Sequence, residues 1–138
     1  MANEFNLHIR SVDRDFYEGK CVSLTLTLPD GQQGLMANHS AMVAALIPGL
    51  LSYRLADGTT VVAAAGSGMA RFENNDALVL LDSIERPEDI DASRARAAVD
   101  RAREALLHAV TKQEKLQAKI DLDRALNRLK AVQEDAEL

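Results

Sequence analysis

Cysteine is nearly missing from this sequence. Cys21 stands alone among 138 residues, so no disulfide can form within the chain and a reducing compartment is the expectation. An excess of positive charge is missing too. Sixteen Lys and Arg against 21 Asp and Glu give a formal net charge of -5. That balance excludes an ordinary nucleic-acid binder, which must offset phosphate charge. No long hydrophobic run is present: the longest, residues 41–51, is interrupted by Pro48-Gly49 and falls far short of the ~20 apolar residues that span a bilayer. Membrane association is therefore expected only through a partner. Met1-Ala2-Asn3-Glu4 lacks the basic stretch and apolar run of a signal or transit peptide, so none is expected.

Glycine, proline and aromatic residues are missing from one part only. All seven glycines lie between Gly19 and Gly68, the last aromatic is Phe72, and none of the three kinds occurs after Pro87. The C-terminal part is built from Ala, Leu, Arg, Lys, Glu and Asp, mostly strong helix formers plus charge. The shift divides the chain into residues 1–86 and residues 87–138. At 47% hydrophobic and 27% charged, the whole belongs with globular proteins.

The first part reads as short strands. Phe5, Leu7 and Ile9 alternate with polar neighbours, and so do Val22, Leu24, Leu26 and Leu28. A period of two suits strands with one buried face. Asp57-Gly58, between residues 51–55 and 60–65, signals a hairpin through a type I′ turn, which needs positive φ at both central residues. Asn75-Asp76 is expected to turn the chain between residues 69–72 and 77–81. Many short strands with frequent turns predict an all-β sandwich or flattened barrel.

The second part has helical periodicity. Ala95, Ala98, Val99, Ala102, Leu106 and Val110 form one stripe; Ala118, Leu122, Ala125, Leu129 and Val132 form another. Asp91 can cap the first helix. Thr111-Lys112-Gln113-Glu114 fits a capping box, which places a break between two helices near Thr111. The expectation is a C-terminal α-helical hairpin. Its break is soft, because no Gly or Pro enforces it, and its Ala-rich seam buries little area at ~25 cal/mol per Å². Such a hairpin is a candidate two-state element.

Catalytic chemistry is hard to find. Gly66-Ser67-Gly68 lacks both the GxxxxGK[ST] phosphate-loop pattern and the GxSxG elbow, and reads as a tight turn. His39-Ser40 has no acidic residue nearby to orient the imidazole. His8, His39 and His108 show no metal spacing. Cys21 reads as an inert buried thiol at the start of an apolar strand. No motif supplies a convergent catalytic set, so a non-enzymatic subunit of a larger assembly is expected.

The arginines of the second part carry more information. Arg94 and Arg101 are seven apart on one face of the first helix, and Arg124 and Arg128 are four apart on one face of the second. Spacing alone leaves two readings open. Folding could gather the four around an anion, since the planar guanidinium binds phosphate oxygens in a bidentate fork. Alternatively, all four are solvated and paired with Asp100, Glu104, Asp121 and Asp123.

Three stretches resemble the epsilon subunit of bacterial F-type ATP synthases across essentially the whole chain. Gly31-Gln32-Gln33-Gly34-Leu35-Met36-Ala37-Asn38-His39-Ser40-Ala41, continued by Pro48-Gly49, is similar to the family's G-x-x-G-(I/L)-x-x-G-H-x-P…P-G segment. Ala65-Gly66-Ser67-Gly68-Met69-Ala70 is similar to its S-G-G-(F/I)-L-E turn. Ile90 to Ala95 contains its (I/L)-D-x-x-R-A motif. The sequence departs from the family at Asn38 and Ala41, where Gly and Pro are common, and at Gln32, where an acidic residue is often found.

The resemblance implies a rotor subunit whose sandwich binds the gamma subunit and rests on the c-ring. Its hairpin would fold against the sandwich, or extend into the alpha/beta hexamer and block ATP hydrolysis. It also implies a peripheral position on the cytoplasmic face of the bacterial cell membrane, held only through the complex. No cofactor is required. In some members ATP binds the (I/L)-D-x-x-R-A motif and holds the hairpin folded, which carries Ile90, Asp91, Arg94 and Ala95 over as ligands, with Glu85 and Arg101 nearby. The segment 123–129 resembles the R-A-x-N-R-L stretch of ATP-binding members and adds Arg124 and Arg128. A free-standing nucleotide or anion sensor built on the same arginines is the alternative function, and an ATP-hydrolysing enzyme the third.

Overall fold

A computed structural model describes residues 3–138. Ten strands form two five-stranded sheets, ordered β2-β1-β9-β8-β5 and β10-β7-β6-β3-β4. The first sheet comprises β1 (Phe5–Ser11), β2 (Asp15–Cys21), β5 (Met42–Leu46), β8 (Gly68–Glu73) and β9 (Asp76–Leu81). The second comprises β3 (Ser23–Leu28), β4 (Gly31–Met36), β6 (Gly49–Arg54), β7 (Thr60–Ala65) and β10 (Ile84–Glu85). Every pairing is antiparallel except β1 with β9. The architecture is the expected β-sandwich followed by a helical hairpin. Its core lies between the sheets, where Phe5, Leu7, Ile9, Leu24, Leu26, Leu51, Phe72 and Val79 are almost fully buried.

The turn residues act at particular points. Pro48 and Gly49 fall where the chain leaves β5 in one sheet and enters β6 in the other. Gly66-Ser67 makes the next crossing, and the Gly66 amide donates to the Ser83 carbonyl at 2.9 Å. A Cβ at Gly68 would overlap the Leu80 carbonyl oxygen, so only glycine permits that approach.

Two hairpins differ in detail from the sequence expectation. At Asp57-Gly58 only the glycine has positive φ, at 91°. The turn is therefore not type I′ but a longer loop, closed by the Asp57 Oδ1 accepting from the Thr59 amide at 2.8 Å. The type I′ geometry occurs at Asn74-Asn75, where φ is 51° and 57° and Glu73 pairs with Asp76. That turn lies one residue earlier than expected, because asparagine tolerates the left-handed region that Asp76 would have had to enter. Asn38 also adopts positive φ, 68°. Its side chain and backbone bond Asn75, which holds this turn against the neighbouring one.

Cys21 closes β2 and does not open an apolar strand, yet it is fully buried. Burial pushes its thiol up to about 12, which keeps it protonated and inert.

A 3₁₀ turn, Pro87–Asp89, leads into α1 (Ala92–His108) and α2 (Lys112–Ala136). Asp91 caps α1, accepting from the Arg94 amide at 3.1 Å. Thr111 Oγ1 accepts from the Glu114 amide at 3.0 Å, while the Glu114 carboxylate reaches back to the Val110 amide at 3.0 Å. This is a capping box shifted back by one residue on its glutamate arm. Extended backbone at Ala109 and Thr111 lets the chain reverse without glycine.

Most of the expected stripes are covered, with Ala98, Leu122, Leu129 and Val132 half-buried. Ala95, Val99 and Ala102 of α1 and Ala118, Ala125 and Ala131 of α2 are buried. Leu106 and Val110, expected in the seam, are exposed, Val110 at 83%. They lie at the end of the hairpin remote from the sandwich connection, where small seam residues give little surface to cover them.

Candidate functional site: a cleft at the junction of sandwich and hairpin

The hairpin docks on the outer face of the second sheet. On β7, Ala63 and Ala65 face the core while Val62 and Ala64 face outward, and all four are buried. The outward pair joins Leu50 and Ala131 in a small second cluster, with Ile90 packed against it. So few small side chains supply apolar stabilisation on the order of a few kcal/mol.

Polar contacts complete the docking. Arg128 Nε donates to Glu85 Oε1 at 2.7 Å. Both side chains are about two-fifths exposed, 44% and 35%, so the ion pair contributes no more than about 1 kcal/mol. Asn127 Nδ2 donates to the Gly49 carbonyl at 3.0 Å and reaches the Ala65 carbonyl at 3.4 Å.

Seven of the eight candidate residues line one cleft of about 290 Å³: Glu85 from β10, Ile90 and Asp91 from the connection, Arg94, Ala95 and Arg101 from α1, and Arg128 from α2. Asp89 and Ala98 complete it. Arg124 lies outside this cleft. It lines three adjoining hollows, two of which share Arg128: one of about 400 Å³ between the helices, with Arg101 and Asp121, and one of about 270 Å³ against β7, with Asn127.

The charges are arranged unevenly. Three arginines face three carboxylates in the first cleft (Glu85, Asp89 and Asp91), whereas Arg101, Arg124 and Arg128 face Asp121 alone in the interhelical hollow. Among the described residues, none of Arg94, Arg101 and Arg124 lies within 4.0 Å of a carboxylate, and Arg128 pairs only with Glu85. The pairing with Asp100, Glu104, Asp121 and Asp123 considered from spacing does not occur. Glu104 bonds His108 and Asp121 bonds Gln117. One end of the composite site offers carboxylate acceptors beside Ile90 and Ala95, and the other offers free guanidinium donors.

The histidines occupy structural roles. His39 Nδ1 lies 2.8 Å from the Ser40 carbonyl and its ring stacks edge-on against Phe72. His8 is held between Glu18 and Asp76 on the outer face of the first sheet. Among the described residues no His, Cys, Asp and Glu cluster could hold a metal ion, and no helix is long and apolar enough to cross a membrane.

The chain is thus a two-part protein, a β-sandwich carrying a docked, arginine-bearing helical hairpin. Residues 4–87 match the family model for the ATP synthase Delta/Epsilon chain beta-sandwich domain, and residues 88–133 match that for the Delta/Epsilon chain long alpha-helix domain. The chain belongs to the ATP synthase delta/epsilon chain family, whose members are not themselves catalytic. It is 36% identical to the ATP synthase epsilon chain of Caldicellulosiruptor bescii over 97% of both chains. It is 32% identical to the chloroplastic epsilon chain of Zygnema circumcarinatum over 92% of this chain and 95% of that one. Its fold also matches a chain in the mitochondrial ATP synthase of Euglena gracilis with a TM-score of 0.84 at 19% identity, covering 98% of this chain and 82% of that chain.

Asn127 escaped the selection of site residues, although it stands inside the stretch similar to R-A-x-N-R-L. A signal was available: asparagine is a weak helix former, and here it sits mid-helix among strong ones.

Proposed function

We propose that the chain is a rotor subunit of the ATP synthase central stalk, coupling ion flow to ATP synthesis through gamma-subunit and c-ring contacts. It would lie peripherally on the cytoplasmic face of a bacterial membrane, held there by the complex. The gamma subunit is assigned to the outer face of the first sheet, the face the hairpin leaves free. There Val43, Met69 and Leu80 are exposed, and the register sets Met69 directly beside Leu80. A contiguous apolar patch of this kind fits a protein interface. The c-ring is assigned to the tip of the β3–β4 hairpin, where Pro29 and Asp30 are exposed.

The hairpin is the regulatory part: folded, it permits hydrolysis; extended into the alpha/beta hexamer, it inhibits. ATP in the arginine-lined cleft, its phosphates reaching the adjoining hollow of Arg124 and Arg128, favours the folded form. One observation carries this reading: the cleft is assembled from three separate elements, with Glu85 supplied by the sandwich, Arg94 and Arg101 by α1 and Arg128 by α2. It exists only while the hairpin is docked, so any ligand bound there stabilises docking by linkage. The free guanidinium groups suit the triphosphate, and Glu85 and Asp91 suit the amino and hydroxyl donors of a nucleoside.

Calorimetric titration of the full chain with ATP tests the site. Each charge-assisted hydrogen bond is worth about 1.5–3 kcal/mol, so Arg94→Ala and Arg124→Ala should each weaken binding about tenfold or more. Unchanged affinity in both variants would return the arginines to solvent.

A further inference from the structure

We infer that Asn127 is the positioning residue that sets α2 in register on the sandwich, and that releasing its side chain is the step that frees the hairpin. The inference rests on the docked geometry and extends the proposed switch, without depending on what the cleft binds.

Gly49 and Ala65 are cross-strand partners where β6 begins and β7 ends. The Asn127 amide group donates toward both of their carbonyls, at 3.0 Å and 3.4 Å. Two acceptors on one side fix the orientation of the side chain, because only the NH₂ end can face them. Among the described residues these are the only side-chain hydrogen bonds from α2 to strand backbone. The remaining polar tie, Arg128 to Glu85, joins two side chains about two-fifths exposed and contributes no more than about 1 kcal/mol.

The apolar contact cannot fix register either. Ala131 is what α2 contributes to the small docking cluster, and a methyl group slides over Val62 and Ala64 with little penalty. A bond from mid-helix to two carbonyls cannot slide. Asn127 lies just before Arg128 and three residues after Arg124, so Arg124 and Asn127 share a face. Pinning it places both guanidinium groups against the sandwich, and all three residues line the same hollow.

The chemistry of the pair allows a test that a merely structural role would not pass. In Asn127→Asp, a charged carboxylate faces two carbonyl oxygens and repels them, whereas a protonated carboxyl donates to one of them. Docking in that variant should therefore return on acidification, titrating above the ordinary Asp value of ~3.9. Asn127→Ala has no such response.

The experiment uses the full chain carrying fluorophores at Ala56→Cys and Gln113→Cys, both exposed positions remote from the contact. Native Cys21 is fully buried and stays unlabelled. Energy transfer is read from pH 4 to pH 8, with circular dichroism of the strands as the folding control. Expected is a docking equilibrium shifted about tenfold toward release in Asn127→Ala. A larger shift is expected in Asn127→Asp near neutrality, recovered at low pH in that variant only. Wild-type transfer efficiency in both variants at every pH would overturn the inference. So would weakened ATP binding with no change in transfer, which would make Asn127 a ligand and not a positioning residue. Release without any change in ATP affinity would leave this inference standing and would instead remove the cleft as a nucleotide site.

Discussion

His8 lies on β1 with Nδ1 facing Glu18 of β2 and Nε2 3.0 Å from Asp76 of β9. Two carboxylates on opposite sides of one ring are satisfied only by the imidazolium, which donates from both nitrogens. The hydrogen bonds to Glu18 and then Asp76 raise the His8 pKa above 6.5. Arg10 first, and then His8, hold the Glu18 carboxyl below its usual range. Linkage gives the sign. A histidine with a raised folded value contributes fully below the unfolded value and loses that contribution as pH climbs through the folded one. Glu18 sets the acid limit, its own contribution fading as pH falls through its lowered value. The stability advantage of wild type over His8→Gln should thus be larger at pH 6 than at pH 9, read from urea midpoints. An advantage independent of pH would mean that the ring acts only by packing. None of this was legible in the sequence, where His8, Glu18 and Asp76 are far apart and only the strand pairing unites them.

At the scale of elements, alternation was enough to place the strands at residues 5–9 and 23–28, one residue short of the expected start at Val22. Turn chemistry was less transparent. Positive φ fell on Asn74 and Asn75 and not on Asp57, because the register of the paired strands, with Glu73 opposite Asp76 and Arg54 opposite Thr60, decides which residues remain for the loop. The run Val62-Ala63-Ala64-Ala65 lacked alternation because it is covered on both faces, and its outer cover is the hairpin itself. The break between helices was legible because a capping box is local. Thr111 holds the start of α2 through the Glu114 amide, and replacing such a cap costs about 1 kcal/mol. Thr111→Ala should therefore lower amide-exchange protection at residues 112–115 while the strands keep theirs. Equal protection in variant and wild type would show that tertiary contacts, and not the cap, hold the break.

Across the whole molecule, two well-packed sheets carry a hairpin attached by a small apolar cluster, one partly exposed ion pair and one asparagine. Helical spacing singled out the arginines of the candidate site without choosing between a shared anion and solvent, and the resemblance added Glu85, Ile90, Asp91 and Ala95. Neither could reveal that Arg124 lies beside the main cleft and not in it, because helix-to-sheet docking sets that offset. Since the core between the sheets does not involve the hairpin, removing residues 87–138 should leave a folded sandwich. That sandwich should still join the ATP synthase while hydrolysis becomes less inhibited, as read by assembly and ATPase assays of the reconstituted complex. Loss of assembly would contradict the proposed division of labour.

The most direct measurement is native-state amide hydrogen exchange on the full chain, with and without ATP. Protection in α1 and α2 well below that of β1, β8 and β9, rising in the helices alone when ATP is added, is the predicted result. Helices as protected as the strands, and indifferent to ATP, would contradict a hairpin whose shape is chosen by its ligands.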